Sequence, residues 1–243
     1  MRGAAFILLG LTAPAVAPLA AQDATAKAVV ATANVSFVDA AGNTDVTTLS
    51  GDQRLEYTPP ESGWKLAEFA SLVYGRTDGE TSANALKLGA RADRAITGRL
   101  SAFGGASYER NRFAGIARRF EEITGLAYRI LDLPKDQLGA ELGASFTQQR
   151  NLDGVDDGFV AARAATSYRH LFTEHAWLQQ LLEFLPSLED GADRRINSET
   201  SLVAPLSTRF AVKVGYTIRY DNLPVPGFEK TDRVLSTGLQ ATF

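Results

Sequence analysis

The final stretch of the chain, Thr231 to Phe243, alternates strictly. Leu235, Thr237, Leu239, Ala241 and Phe243 fall on one side, and Val234, Ser236, Gly238, Gln240 and Thr242 on the other. Successive side chains of a strand point to opposite faces, so the pattern describes a strand with one apolar face and one small or polar face. In a soluble domain the terminal residues fray, and an aromatic at the last position is unusual. An outer-membrane β-barrel needs one, because its closing strand pairs to its end and seats an aromatic at the interface.

The same period recurs upstream in twelve segments, about 30–40, 45–58, 64–76, 83–95, 98–111, 118–131, 137–150, 158–171, 175–187, 194–204, 208–221 and 231–243. In the eleventh, Phe210, Val212, Val214, Tyr216, Ile218 and Tyr220 oppose Ala211, Lys213, Gly215, Thr217, Arg219 and Asp221. In the seventh, Leu138, Ala140, Leu142, Ala144 and Phe146 oppose Gly139, Glu141, Gly143, Ser145 and Thr147. The third and ninth are noisier, and their facing is open. An even number of strands is what a closed single-chain barrel with both termini on one side requires.

Residues 1–21 carry a positive start, an apolar run from Phe6 to Leu11 and a small-residue stretch to Ala20-Ala21. This is the layout of a signal peptide cleaved after Ala21; Pro14 and Pro18 break the run before it is long enough for a membrane helix. The expected organisation is a signal peptide over 1–21, a short periplasmic segment over 22–29 and one barrel over 30–243, exported to the outer membrane. The remaining chain of about 220 residues suits a single all-β domain. No cysteine is present, so no disulfide framework supports an exported fold. The net charge of −3, or −4 once Arg2 is removed, argues against a nucleic-acid partner, which needs a basic face.

The connections test the same reading. After odd strands they should be long and external, as in Gly75–Ser82, Asn151–Asp157, Pro186–Asp193 and Asn222–Lys230. After even strands they should be short and periplasmic, as in Thr58–Gly63, Ile96-Thr97, Asp132–Lys135, Phe172–Glu174 and Pro205–Ser207. A soluble sandwich or lipocalin-like barrel would also alternate, with its apolar face inward. Strands of about twelve residues are long for a soluble sheet and suit a tilted bilayer crossing.

Six motifs in order carry a resemblance. They are Gly42-Asn43-Thr44-Asp45; Tyr74-Gly75 with Thr77-Asp78-Gly79-Glu80-Thr81; Tyr108-Glu109-Arg110-Asn111-Arg112-Phe113-Ala114-Gly115; Leu185-Pro186-Ser187-Leu188-Glu189-Asp190; Ser198-Glu199-Thr200-Ser201; and Arg219-Tyr220-Asp221 leading to Pro226-Gly227-Phe228-Glu229-Lys230-Thr231-Asp232. From about Ser36 to Phe243 the chain resembles the salt-induced outer-membrane protein family of Gram-negative bacteria, domain of unknown function 481. It departs at Asn111, where an acid is expected, and at Val225, where Pro is expected. The resemblance implies an outer-membrane barrel and a link to salt or envelope stress, and it assigns no activity. A terminal aromatic such as Phe243 also resembles the signal read by the barrel assembly machinery, a partner during biogenesis.

For chemistry, the chain has two histidines, His170 and His175, both by the eighth-to-ninth connection. A hydrolase needs a base beside a nucleophile, and Ser187 with Glu189 and Asp190 falls at the opposite rim, so catalysis is the minority reading and no cofactor is implied. Asp153, Asp156 and Asp157 with Gly154 and Gly158 are a weak candidate for Ca²⁺, lacking an EF-hand's spacing and closing Glu; a solvated loop is the plainer reading. Arg110, Arg112, Arg118 and Arg119 around Phe113 are candidates for lipopolysaccharide phosphates, set against simple pairing with Glu121 and Glu122.

The parity of the strands sends a larger set of charges into the lumen: Arg54, Arg91, Asp93 and Glu109 in the first half, Glu121, Arg129, Glu141, Arg163 and Arg169 in the middle, and Glu199, Lys213, Arg219 and Asp221 at the end. Confined charges must pair or stay hydrated. Either they form a pore lining or they cross-link into a plug; twelve strands fall between filled and open barrels and leave both open. The expected fold is therefore an all-β, transmembrane, antiparallel up-and-down barrel of about twelve strands. The expected function is structural or small-pore, with a surface hydrolase or a receptor-like surface of acidic external loops as alternatives. Oligomeric state is not legible.

Overall fold

The computed structural model describes residues 28–40 and 46–243. The expected signal peptide, most of the short segment after it and the Gly42–Asp45 motif lie outside those residues. Twelve strands run β1 (Val29–Ala40), β2 (Val46–Tyr57), β3 (Trp64–Thr77), β4 (Glu80–Ala95), β5 (Leu100–Asn111), β6 (Ile116–Asp132), β7 (Asp136–Asn151), β8 (Asp156–Leu171), β9 (Trp177–Pro186), β10 (Arg194–Pro205), β11 (Phe210–Asp221) and β12 (Thr231–Thr242). Each pairs antiparallel with its sequence neighbours, and β12 returns to β1 to close the barrel. Closure removes sheet edges, so strand backbone groups are satisfied within the wall, as a hydrocarbon environment demands.

The barrel is inside out. Leu142 is 69 % exposed and Glu141 beside it 2 %. Leu72, Leu88, Leu126 and Leu202 also face outward, while Arg91, Asp93, Arg163 and Glu183 are buried. A soluble barrel would reverse this arrangement. Exposed aromatics flank the leucines: Tyr57, Trp64, Tyr128, Phe210 and Phe243 toward the end that carries β1's start, and Tyr74, Phe120, Phe146 and Phe184 toward the other. Such girdles belong at the two interfaces of a membrane-spanning barrel. For clarity, the end with β1's start is the near end and the opposite one the far end.

The closing seam is the shortest ladder, running only from Thr32↔Thr242 to Val35↔Leu239. Phe243 extends it by one residue: its N–H donates to the Ala31 carbonyl at 2.9 Å and its carbonyl accepts from the Ala31 N–H at 3.2 Å. Between β6 and β7 the backbones approach closely where Gly125 faces Gly143. A Cβ on either would strike a carbonyl of the facing strand, that of Leu142 or Thr124 respectively.

The expected contrast in connection length is corrected in part. The stretch Gly75–Ser82 is not a long connection, because only Asp78 and Gly79 lie between β3 and β4. Both have positive φ, as a two-residue hairpin turn requires. The near-end connection of residues 58–63 is longer than that. The long far-end segments are residues 187–193 and 222–230. Strand ladders continue past the point where polar side chains begin, so composition overstated the loop.

Candidate functional site: the charged lumen

Thirteen lumen charges were expected, and the strands turn each of them inward, where they sort into three layers. In the middle, Arg91 donates to Asp93 at 2.7 Å and to Glu141 at 2.8 Å. Glu141 also accepts from Arg163 at 2.6 Å, and Arg163 Nε donates to Glu183 at 2.6 Å. Asn197 donates to the other Glu183 oxygen at 2.8 Å. Phe103 forms an apolar floor, with the Arg91 guanidinium 4.1 Å and that of Arg163 5.4 Å from its ring centroid. The cluster ties β4, β5, β7, β8, β9 and β10 together across the lumen. Two arginines share three carboxylates, and nearly every charge has a partner, the condition under which ions tolerate confinement.

Toward the near end lies a cavity of about 290 Å³ lined by Arg54, Glu56, Arg169, Trp177, Glu199 and Lys213 among others. Arg54 pairs with Glu56 at 2.7 Å, Lys65 reaches Glu56 at 2.8 Å, and Lys213 lies 3.7 Å from Glu199. Arg169 stacks over Trp177 at 4.4 Å. Arg129, lower still, pairs with Asp132 at 2.6 Å.

Toward the far end lies a second cavity of about 290 Å³, lined by Lys87, Glu109, Arg119, Glu121, Arg195, Arg219 and Asp221. Glu109 sits between Arg119 at 3.8 Å and Arg219 at 3.6 Å. The segment 222–230 folds across this mouth. Its Phe228 and Val225 close on Gly115, where a Cβ would meet them at 2.7 and 2.9 Å. Asn222 donates to the Ala192 carbonyl at 2.8 Å and so ties the segment to the neighbouring connection. Burial and the nearby Asp221, Asp157 and Asp190 push the Asp193 carboxyl at this rim up, against the opposing pull of Arg195.

The middle cluster does not fill the whole cross-section. The wall formed by β10, β11, β12, β1 and β2 carries small side chains, and a space of about 50 Å³ lies there between Asn34, Ser36, Asp52, Gly215, Thr217 and Ser236. It shares Asn34, Asp52, Glu199 and Lys213 with the near-end cavity.

Other expectations are corrected. Arg119 does not join an external basic group: it points inward and donates to Gln149 at 2.6 Å. Adjacent strand residues face opposite ways, so Arg118 and Arg119 cannot share a surface. Arg110, Arg112 and Arg118 are exposed, and Arg110 reaches Asn84 at 3.4 Å. The three aspartates are not brought to one point. Asp153 accepts from the Val155 N–H, Asp156 pairs with Arg150 at 3.3 Å, and Asp157 lines the far cavity. His170 binds Asp136 at 2.8 Å at the near end and His175 lies in the adjoining turn, whereas Ser187, Glu189 and Asp190 are at the far end. No hydrolase constellation is assembled from them.

Asp52, Glu56, Lys65, Lys87, Arg119, Glu183, Arg195 and Asp232 join the lumen set without having been expected. Parity alone would have found Lys87, two residues before Gly89 and four before Arg91. Glu183 and Arg195 were harder: inward Leu181 and Leu185 break the polar pattern of β9, and Arg195 is only the second residue of β10.

The family model "Protein of unknown function, DUF481" matches residues 33–243. The chain belongs to this family. The uncharacterized protein YdiY of Escherichia coli (strain K12) is 24 % identical over 201 residues, which are 82 % of this chain and 77 % of that protein. Among solved structures, an outer membrane channel from Pseudomonas putida F1 superposes with a TM-score of 0.52 at 14 % identity, covering 88 % of this chain and 94 % of that one. The NanC porin superposes with a TM-score of 0.50 at 8 % identity, covering 88 % and 97 %. At these identities the likeness is one of fold, a closed antiparallel β-barrel shared with these two proteins.

Proposed function

We propose that this barrel sits in the outer membrane, with its near end periplasmic and its far end external, and acts as a narrow, non-enzymatic channel. The observation that carries the reading is the asymmetric filling of the lumen. The ion-pair cluster occupies the β4–β9 side, and the small residues of the β10–β2 wall leave a space beside it that runs on from the near-end cavity. Mixed charges along that wall, Asp52, Glu199 and Lys213, keep the route wet. Its dimensions favour ions and small solutes, since the space of about 50 Å³ beside the cluster holds only a few waters.

Single-channel conductance of the refolded protein in planar bilayers tests this. Conducting events are expected, reduced when Ser236→Trp obstructs the wall and enlarged when Arg163→Ala opens the cluster. A silent bilayer across a range of salt concentrations would overturn the channel reading. It would favour the second reading supported by the cluster, a barrel cross-linked shut that serves the envelope structurally. The link to salt or envelope stress is carried by the family resemblance. It is tested by growth of a deletion strain at raised salt, where wild-type growth would remove it.

A further inference from the structure

Two cations in the far-end cavity stand out from the paired charges around them. Lys87 is 4 % exposed and Arg195 7 %, and both line the cavity of about 290 Å³. Among the described residues Lys87 makes no hydrogen bond or ion pair. Arg195 is held over the Phe159 ring at 4.3 Å, with one long hydrogen bond to Thr147 at 3.5 Å and its Nε unpartnered. Glu109, directly across the sheet from Lys87, faces it without reaching ion-pair distance and lies between Arg119 at 3.8 Å and Arg219 at 3.6 Å; Arg219 has Asp232 as its cross-strand neighbour. Glu183, which faces Lys87 from the middle layer, is held by Arg163 and Asn197. Glu121 faces both cations at this depth, and Asp193 and Asp221 face Arg195 from the rim, none of them at ion-pair distance.

A buried ammonium and a buried guanidinium with open donors are costly unless a further acceptor completes them. The space beside them is lined on its other side by apolar groups, Ile116, Leu185, Val225 and Phe228. We propose that this cavity is a binding site for a small organic carboxylate. The carboxylate oxygens accept from Lys87 Nζ and the free edge of Arg195, and the carbon chain lies against Leu185, Val225 and Phe228. The segment 222–230 then covers the ligand from outside. The site does not depend on conduction, since a barrel closed at its middle would still bind from the far end.

The test is calorimetric titration of the full barrel in detergent micelles with pentanoate, using pentanamide as the uncharged isostere and inorganic phosphate as the competing anion. Saturable binding of pentanoate is expected, with none for pentanamide. Lys87→Met and Arg195→Gln are each expected to weaken it by roughly tenfold or more, the scale of one charge-assisted hydrogen bond. Folding of each variant is checked by heat modifiability; should Lys87→Met not fold, Arg195→Gln carries the test alone. The proposal is overturned by equal binding of pentanamide, by unchanged affinity in a folded variant, by the absence of saturable binding, or by phosphate competing as well as pentanoate.

Discussion

Arg163 donates from Nη1 to Glu141 Oε2 at 2.6 Å, and the two side chains are 0 % and 2 % exposed, respectively. They stand on adjacent strands but are not direct cross-strand partners: Glu141 pairs with Ala165, and Arg163 with Gly143. The contact is a diagonal one across the inner surface, and it anchors the cluster that narrows the lumen. In a confined site the worth of such a pair lies less in its attraction than in what is left behind when one partner goes.

Removing one partner therefore matters more than removing both. Arg163→Ala leaves Glu141 with only Arg91 and Glu183 with only Asn197, and is expected to cost about 3–5 kcal/mol of stability. The Arg163→Met/Glu141→Leu double variant removes a charge of each sign from the cluster and should recover part of that loss. Denaturant unfolding in detergent compares the two; equal losses would show that the uncompensated charge is not the cause.

Gly143 is expected to tolerate no side chain. Its Cβ position falls on the Thr124 carbonyl, so even Gly143→Ala must push β6 and β7 apart, an overpacking cost of about 1–3 kcal/mol. Gly158→Ala, whose Cβ would lie 3.3 Å from the Thr147 carbonyl, serves as the milder comparison. The readout is the fraction of heat-resistant folded protein. Equal behaviour of the two variants would refute the close-approach explanation.

Deleting Phe243 removes both hydrogen bonds to Ala31 from a seam that has only four other residue pairs. Lower yield in the membrane is expected, with protein that does assemble retaining its heat modifiability. Phe243→Ala keeps the backbone pairing and separates the loss of the ring from the loss of the ladder. Normal yield of both variants would deny the residue any role in assembly.

The rim carries a pH dependence. Asp193 is pushed above its ordinary value of 3.8, chiefly by burial and also by Asp221, Asp157 and Asp190. For an acid raised by folding, the folded state favours the protonated form. Its contribution is greatest below the ordinary value and is lost as pH rises through the raised one. The segment 187–193 should therefore loosen as the medium is taken from acid toward neutral. The chain has no cysteine, so a spin label on Glu189→Cys reports that segment alone. Asp193→Asn should abolish the change in mobility; a pH response that survives it would assign the effect elsewhere.

Much of the fold was legible because alternation is a local property. Phe210, Val214 and Tyr216 face outward as their spacing demanded, and the strand count needed no long-range information. The lumen was legible by parity wherever a strand was regular, as with Arg91, Asp93 and Glu141. It failed where inward apolar residues mimic the outer face, as Leu181 and Leu185 do around Glu183. Arg118 and Arg119 part for a different reason: neighbours along a pleated strand face opposite sides, so adjacency in sequence is not adjacency in space.

The sequence by itself determined that strands with one apolar and one polar face must close on themselves, since only a closed ladder satisfies their backbones in hydrocarbon. By parity it also turns thirteen charges inward, though these are not all that line the lumen. Only the tertiary structure decided which of them meet. Arg91 and Glu141 are 50 residues apart, and no strand pattern relates them. Their contact depends on how the strands are staggered around the barrel and how far each side chain reaches across the lumen. Among the described residues the same geometry leaves Lys87 and Arg195 without a carboxylate at ion-pair distance, because pairing inside a barrel is set by closure and curvature rather than by the order of residues along a strand.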